Sequence, residues 1–396
     1  MKSSLNVFLI LALMATITIS CDEGTTDPPP EEEEDLTIVE NISENTTWET
    51  GKVYQLGGRI AVLDGVTLTI EPGVIVKGEA GTGSNATALV VARGATLIAE
   101  GTADSPIIFT SVADEIVPGE VASPNLDPTL NGLWGGVIVL GNATISADAA
   151  SVQIEGIPAS DQNGLYGGDD DADNSGSIKY ISIRHGGANI GEGNEINGLT
   201  LGGVGSGTTI ENVEIVSNQD DGIEWFGGAV SVSNVVVWNT GDDAIDTDQA
   251  WSGTLNNFVI VNPGDECFEL DGGEGNFNNM HTITNGSVSA QGAEGLADLD
   301  DKGPAGTVGN SYVDMSNIYF FDVAYGQDFD DNPADLTAAS FELTVPSDTL
   351  EVADFFVDGV ADAVTIVADG ASTVGADMTK FTGWSWAAVS GALDGF

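Results

Sequence analysis

Two short motifs recur at a nearly fixed spacing in the middle of the chain, and they constrain the fold more than any other feature. Asn212-Val213-Glu214-Ile215, Asn234-Val235-Val236-Val237 and Asn257-Phe258-Val259-Ile260 form one series, and Asn279-Met280-His281-Thr282-Ile283 continues it with one residue shifted. The asparagines lie 22, 23 and 22 residues apart. A second series, Gly222-Ile223-Glu224-Trp225, Ala244-Ile245-Asp246-Thr247 and Cys267-Phe268-Glu269-Leu270, repeats at 22 and 23. Each unit alternates in the manner of a strand, and no helical period is present. A constant period built from short strands is a solenoid whose coils stack about 4.8 Å apart. The expected fold is all-β, a right-handed parallel β-helix with about 22–23 residues per coil in its central part. Val213, Val235 and Phe258 should form one inward column, and Ile223, Ile245 and Phe268 another. Cys267 falls in a column of small residues with Gly222 and Ala244, and reads as a buried thiol. The stacked asparagines suit amide ladders.

Composition agrees. The chain has 52 glycines among 396 residues, without a Gly-x-y period, as many tight turns require. Hydrophobic residues make up 41 %, enough for a sizeable core. Charge is the unusual quantity: 62 Asp and Glu against 9 Lys and Arg give −53. Nucleic acid and anionic lipid surfaces both demand basic patches, so neither is an expected partner. Divalent cations are.

The N-terminus begins Met1-Lys2, continues with an apolar stretch from Val7 to Ile19, and closes on Ser20-Cys21. The stretch is too short to span a bilayer and fits a signal peptide over residues 1–20. Thr18-Ile19-Ser20-Cys21 resembles the lipobox of bacterial lipoproteins, which implies lipidation at Cys21 and attachment to a membrane through the acyl chains. Residues 21–35 then carry three prolines and an acidic run, an extended tether. With Cys21 lipidated, Cys267 has no disulfide partner. Residues 36–396 are expected to be a single β-helix domain with N- and C-terminal caps.

Further stretches carry a family resemblance. Val66 to Gly78 (VTLTIEPGVIVKG), Gly94 to Thr102 (GATLIAEGT), Gly132 to Gly141 (GLWGGVIVLG), Asn194 to Gly205 (NEINGLTLGGVG) and the closing Phe381 to Ala387 (FTGWSWA) resemble Bacteroidetes-type surface lipoproteins of the right-handed parallel β-helix family. The resemblance implies an outer-membrane, cell-surface location. It implies no catalytic residues.

Candidate chemistry lies in stacked carboxylates. Asp220, Asp242 and Asp265 share one repeat position, Asp221, Asp243 and Glu266 the next, and Glu224, Asp246 and Glu269 a third; Asp248 and Asp271 add a shorter column. Two carboxylates about 5 Å apart repel by about 3 kcal/mol at an effective dielectric near 20. Such columns either take up protons, hold cations, or splay outward into solvent. Hard oxygen ligands of this kind suit Ca²⁺. Asp169, Asp171 and Asp173 have the alternate spacing of a calcium loop, but Asn174 and Tyr180 stand where an EF-hand requires Gly and Glu.

An enzyme is the competing reading. Asn218-Gln219-Asp220-Asp221-Gly222 and Asn239-Thr240-Gly241-Asp242-Asp243 are similar to the acidic motifs of polygalacturonase-like glycosidases, with Asp221, Asp242 and Asp243 as acid and base. The Gly-His-Gly and Arg-x-Lys motifs of that family are missing, and no Arg or Lys lies between 185 and 301. Trp225, Trp238 and Trp251 lie on or beside the acidic coils; an exposed indole there would stack on a sugar, but a core or cap role is the expected one. The expected role is calcium-associated binding or adhesion at the cell surface, with glycans or other surface proteins as ligands. A glycan-active hydrolase or lyase and a purely structural surface component are the alternatives.

Overall fold

Each central coil consists of one long bent strand and one short strand. The computed structural model describes residues 35–190, 196–330 and 333–396. The expected signal peptide, Cys21 and the tether up to residue 34 lie outside the described residues, as do Asn194 and Glu195 of the family motif. Among the described residues, a 16-stranded and an 8-stranded sheet wind around one interior, with parallel pairing throughout both. This is the right-handed parallel β-helix that the repeat implies.

The larger sheet is folded into two faces. In the N-terminal coils these are separate strands: Thr67–Ile70 and Thr96–Glu100 on the first face, Ile75–Gly78 and Ile107–Ser111 on the second. From Gly176–Arg184 onward the two fuse. Its first half pairs with Leu97–Glu100 and its second half with Ile107–Phe109. The bend falls on one residue per coil in the left-handed region: Tyr180, Asn212, Asn234, Asn257, Asn285 and Asn317, with φ between 49° and 62°. Asparagine tolerates this region better than other side-chain-bearing residues, which is why it recurs there. Its amide also links rungs: Asn257 Nδ2 donates to Asn234 Oδ1 at 2.8 Å, and Asn317 Nδ2 to Asn285 Oδ1 at 3.1 Å.

The expected columns are present. Val213, Val235 and Phe258 are in register, as are Ile223, Ile245 and Phe268, and all six are buried. Each such side chain contributes roughly 1.5–3 kcal/mol. Cys267 is buried and unpaired. Asn279 requires correction: the next corner after Asn257 is Asn285, because Phe258 pairs with Gly286. A Cβ on Gly286 would lie 2.0 Å from the Phe258 ring, so glycine is what lets that ring fill the interior.

The third face is the 8-stranded sheet, from Arg59–Val62 through Val137–Leu140, Ile223–Phe226 and Ile245–Asp248 to Asp298–Leu299. Its outward column reads Ala61, Val90, Ile138, Thr200, Glu224, Asp246, Glu269, Asp298. One side of one sheet therefore passes from apolar to acidic along the axis. The apolar part is covered by an insertion following Val137–Leu140, whose Ile145, Ile154, Ile157 and Tyr166 pack on Ala61, Val90, Ile138, Leu140 and Phe226.

The second face is covered near its middle by the C-terminal segment. Asp377 N–H donates to Asn257 Oδ1 at 2.6 Å, and the N–H groups of Trp386 and Ala387 donate to Glu214 at 3.0 and 2.8 Å. Phe381, Trp384 and Trp386 pack on Val216, Val236 and Val259. The buried Arg184 guanidinium lies 3.7 Å from Glu214 and 5.0 Å above the Trp386 ring.

Candidate metal centre

The turn between the second and third faces brings the repeated acids together. Residues 218–221 end one turn and residues 240–243 the next, directly stacked: Asp243 N–H donates to Asp221 Oδ1 at 3.0 Å, and Glu266 N–H to Asp243 Oδ1 at 2.6 Å. One oxygen of each carboxyl is thus fixed by the backbone of the following coil. Glu224, Asp246 and Glu269 follow on the outer side of the third face, in register.

Two triads result. Oxygens of Asp220, Asp221 and Asp242 lie within 4.8 Å of one another, and so do oxygens of Asp221, Glu224 and Asp246. Asp221 belongs to both. Asp221, Glu224, Asp243 and Asp246 are buried, whereas Asp220, Asp242, Asp265, Glu266 and Glu269 are half-buried. Among the described residues no ion pair reaches Asp221, Glu224 or Asp246, whereas Asp161, Glu100, Glu211, Glu214 and Asp300 each meet a cationic side chain.

Burial without cations has a large electrostatic effect. Desolvation, then repulsion from Asp246, Asp220 and Asp243, pushes Asp221 well above the usual carboxylate range. Desolvation and then Glu155 do the same to Glu224, and desolvation and then Glu224 to Asp246. Asp243 is raised to about 9 by burial and by its hydrogen bond with Glu269. Burial foremost raises Asp248 and Glu266 to about 8 and Asp271 to about 7. At neutral pH the cluster either carries protons or takes a cation in their place.

Asn197 and Glu155 adjoin this cluster: Asn197 stacks on Asp221 one coil earlier, with an amide where the following coils carry acids, and Glu155 comes from the insertion. Asn197 is fully buried. Its Nδ2 donates to Glu224, and to Thr200 Oγ1 and Glu155 Oε1 at 3.4 and 3.5 Å. Its Oδ1 has no hydrogen-bond partner. A buried amide oxygen without a donor is costly, and its position beside a carboxylate triad suits a cation ligand.

The candidate loop at Asp169, Asp171 and Asp173 is built differently and is not among the convergent groups found in the described residues. Asp171 Oδ1 accepts from Thr144 N at 2.9 Å, and Asp173 accepts from Asn142 Nδ2 at 3.0 Å and Ser175 Oγ at 3.2 Å. Asp169 is exposed. The tryptophans take the core and cap roles expected for them, not that of sugar platforms. Trp225 and Trp251 stack on each other inside the coil at 4.7 Å, exposed by 0 % and 1 %, and Trp238 packs against Trp386 with 8 % exposure. His281 is also interior, 5.0 Å from Trp251, and burial holds it neutral by lowering it to about 3.

A model of the pectate-lyase-like β-helix domain matches residues 40–389, which is most of the chain. The protein belongs to the pectate-lyase-like β-helix family. Comparison with curated proteins and with solved structures returns no match. For a pectate-lyase-like β-helix the fold is consistent with a glycan-active or surface protein. Catalytic use of Asp221, Asp242 and Asp243 fits the geometry poorly. Inverting hydrolysis needs two carboxyl groups roughly 6.5–9.5 Å apart with water between them. Here Asp221 and Asp242 offer oxygens within 4.8 Å, and Asp221 and Asp243 are buried, with backbone N–H groups on their oxygens.

Proposed function

We propose that this chain is a lipid-anchored, calcium-binding β-helix of a bacterial cell surface, acting in adhesion or glycan binding rather than in turnover. The observation that carries the reading is the pair of triads joined at Asp221, of which Asp221, Glu224 and Asp246 are buried and meet no cationic side chain among the described residues. The orphan oxygen of Asn197 beside them supports it. Carboxylates and an amide oxygen are the ligand set that Ca²⁺ takes, with water completing six to eight positions. Farther along the same face Glu269 is half-buried and Asp298 exposed, so a cation held there would bridge these carboxylates to an anionic glycan.

Calcium titration calorimetry on the purified chain tests this directly. Binding confined to the native state stabilises it by RT ln(1 + [L]/Kd), about 2.7 kcal/mol at a hundredfold excess over Kd. Calcium should therefore raise the melting temperature more than sodium at matched ionic strength. Equal melting temperatures would reduce the carboxylates to a screened surface. Polygalacturonate and alginate should remain intact in the presence of the protein; products lost in Asp242→Asn would establish the hydrolase or lyase alternative. Fatty-acid labelling that vanishes in Cys21→Ala tests the anchor.

A further inference from the structure

The insertion after Val137–Leu140 reaches the acidic cluster as well as the apolar part of the face. Ile154 and Ile157 are buried among the outward residues of the third face, and between them Glu155 is half-buried. Glu155 Oε1 lies 3.5 Å from Asn197 Nδ2, the same nitrogen that donates to Glu224, so the insertion brings a carboxylate to the edge of the triad. Asn197 stands at the junction. Its amide nitrogen meets Glu155 on the insertion and Glu224 on the coil, while its Oδ1 has no partner.

We infer that the insertion is the outer wall of the cation site, with Glu155 and Asn197 completing the ligand set of Asp221, Glu224 and Asp246, and that calcium fastens the insertion to the coils. The inference rests on the calcium reading above and adds two ligands and a structural consequence to it. The chemistry of the amide supports it. Without a cation, Asn197 donates its N–H groups to the surrounding carboxylates and leaves its oxygen unsatisfied. With a cation among them, a half-turn of the amide brings the oxygen to the metal, and O and N occupy nearly the same volume. Three carboxylates that each give one oxygen leave three to five of the six to eight positions of a calcium ion to fill. Asn197 supplies one of them from the coil before Asp221, where the register of Leu199 with Ile223 stacks it on that acid, and Glu155 supplies another from the insertion. The site is therefore complete only when the insertion is seated.

The test compares calcium binding by wild type, Glu155→Gln, Asn197→Ala and Asn197→Asp in the full chain, with calorimetry and amide exchange over residues 150–160. Far-UV circular dichroism and the melting temperature in chelator verify that each variant is folded. Glu155→Gln and Asn197→Ala should weaken calcium binding by at least the roughly ten- to hundredfold that losing even an outer-shell partner of a metal site costs. Asn197→Asp, which keeps an oxygen, should retain it. Calcium should slow exchange over 150–160 in wild type and not in Glu155→Gln. Folded variants that bind calcium as wild type does would overturn the inference and leave the calcium reading intact. Exchange indifferent to calcium in a wild type that binds it would also overturn the inference. A wild type that binds no calcium would overturn the reading itself, and the inference with it.

Discussion

Asp243 accepts a backbone N–H from the coil after it and donates its own to the coil before it. Its carboxyl is therefore fixed in a column of acids rather than free to turn toward water, and burial raises it to about 9. The sign of the resulting pH dependence follows from linkage. A folded acid raised above its unfolded value of about 3.9 retains a proton that the unfolded chain has released. That stability is complete below about pH 4 and is lost as pH rises through the folded values, here from about 7 for Asp271 to about 9 for Asp243. In chelator the melting temperature should fall between pH 5 and 9, each retained proton contributing up to about 1.4 kcal/mol per pH unit. Asp243→Asn should flatten the fall by one proton's share, and above the folded value it should stabilise the metal-free protein by relieving repulsion. Calcium competes with these protons, so the stabilisation it gives should grow with pH. Calorimetric melting across that range decides the matter; a metal-free protein that becomes more stable toward pH 9 would contradict the assignment. The acids of this column were legible in the sequence because stacking imposes the period on them. Glu155 was not, because an insertion outside the coil has no period, and Asn197, which stacks on Asp221, escaped because it carries an amide where the following coils carry acids.

The corner residue decides how each long strand turns from the first face to the second. Asn257 has φ 59°, its amide donates to Asn234, and its oxygen accepts from Asp377. Asn257→Ala should cost about 2–3 kcal/mol, from the left-handed backbone and the lost hydrogen bonds together. Asn257→Gly removes the backbone part and should recover about 1 kcal/mol of it. Urea denaturation of the three proteins separates the contributions, and a glycine variant less stable than the alanine one would show that φ is not what selects asparagine. The register could be read correctly through Asn212, Asn234 and Asn257 and failed at Asn279. The reason is physical. Stacking fixes which strand residues lie above one another, but it leaves the length of the turns free. The turn after Phe268–Leu270 is longer than its predecessors, so a constant period extrapolated beyond it lands on the wrong asparagine. The apolar-to-acidic change on the third face was equally hidden. Ile138 and Leu140 read as residues of an ordinary buried strand, and only the covering insertion reveals that they point outward.

Across the whole molecule, the C-terminal segment joins what the coils alone keep apart. Shortening the chain after Gly375 should uncover Val216, Val236 and Val259 and remove both backbone donors from Glu214. The shortened protein should self-associate and bind a fluorescent apolar dye, measured by light scattering and emission; a monomeric, dye-silent product would mean that the segment covers nothing of consequence. Trp384 and Trp386 were conspicuous in the sequence, yet their place on the second face depends on contacts far outside the repeat. The rungs of the amide ladder link residues 22, 23 and 32 apart, whereas the bonds from Trp386 and Ala387 to Glu214 span 172 and 173. Stacked arrays with only neighbour contacts can gain or lose units over evolutionary time, because each new unit satisfies the one beside it. A chain end that must meet both Asn257 and Glu214 sets the distance between them. Deleting one coil between those residues would bring the two anchoring points closer by about 4.8 Å. The segment thereby acts as a ruler, and this lineage is expected to vary in its turns and insertions while keeping the number of central coils constant.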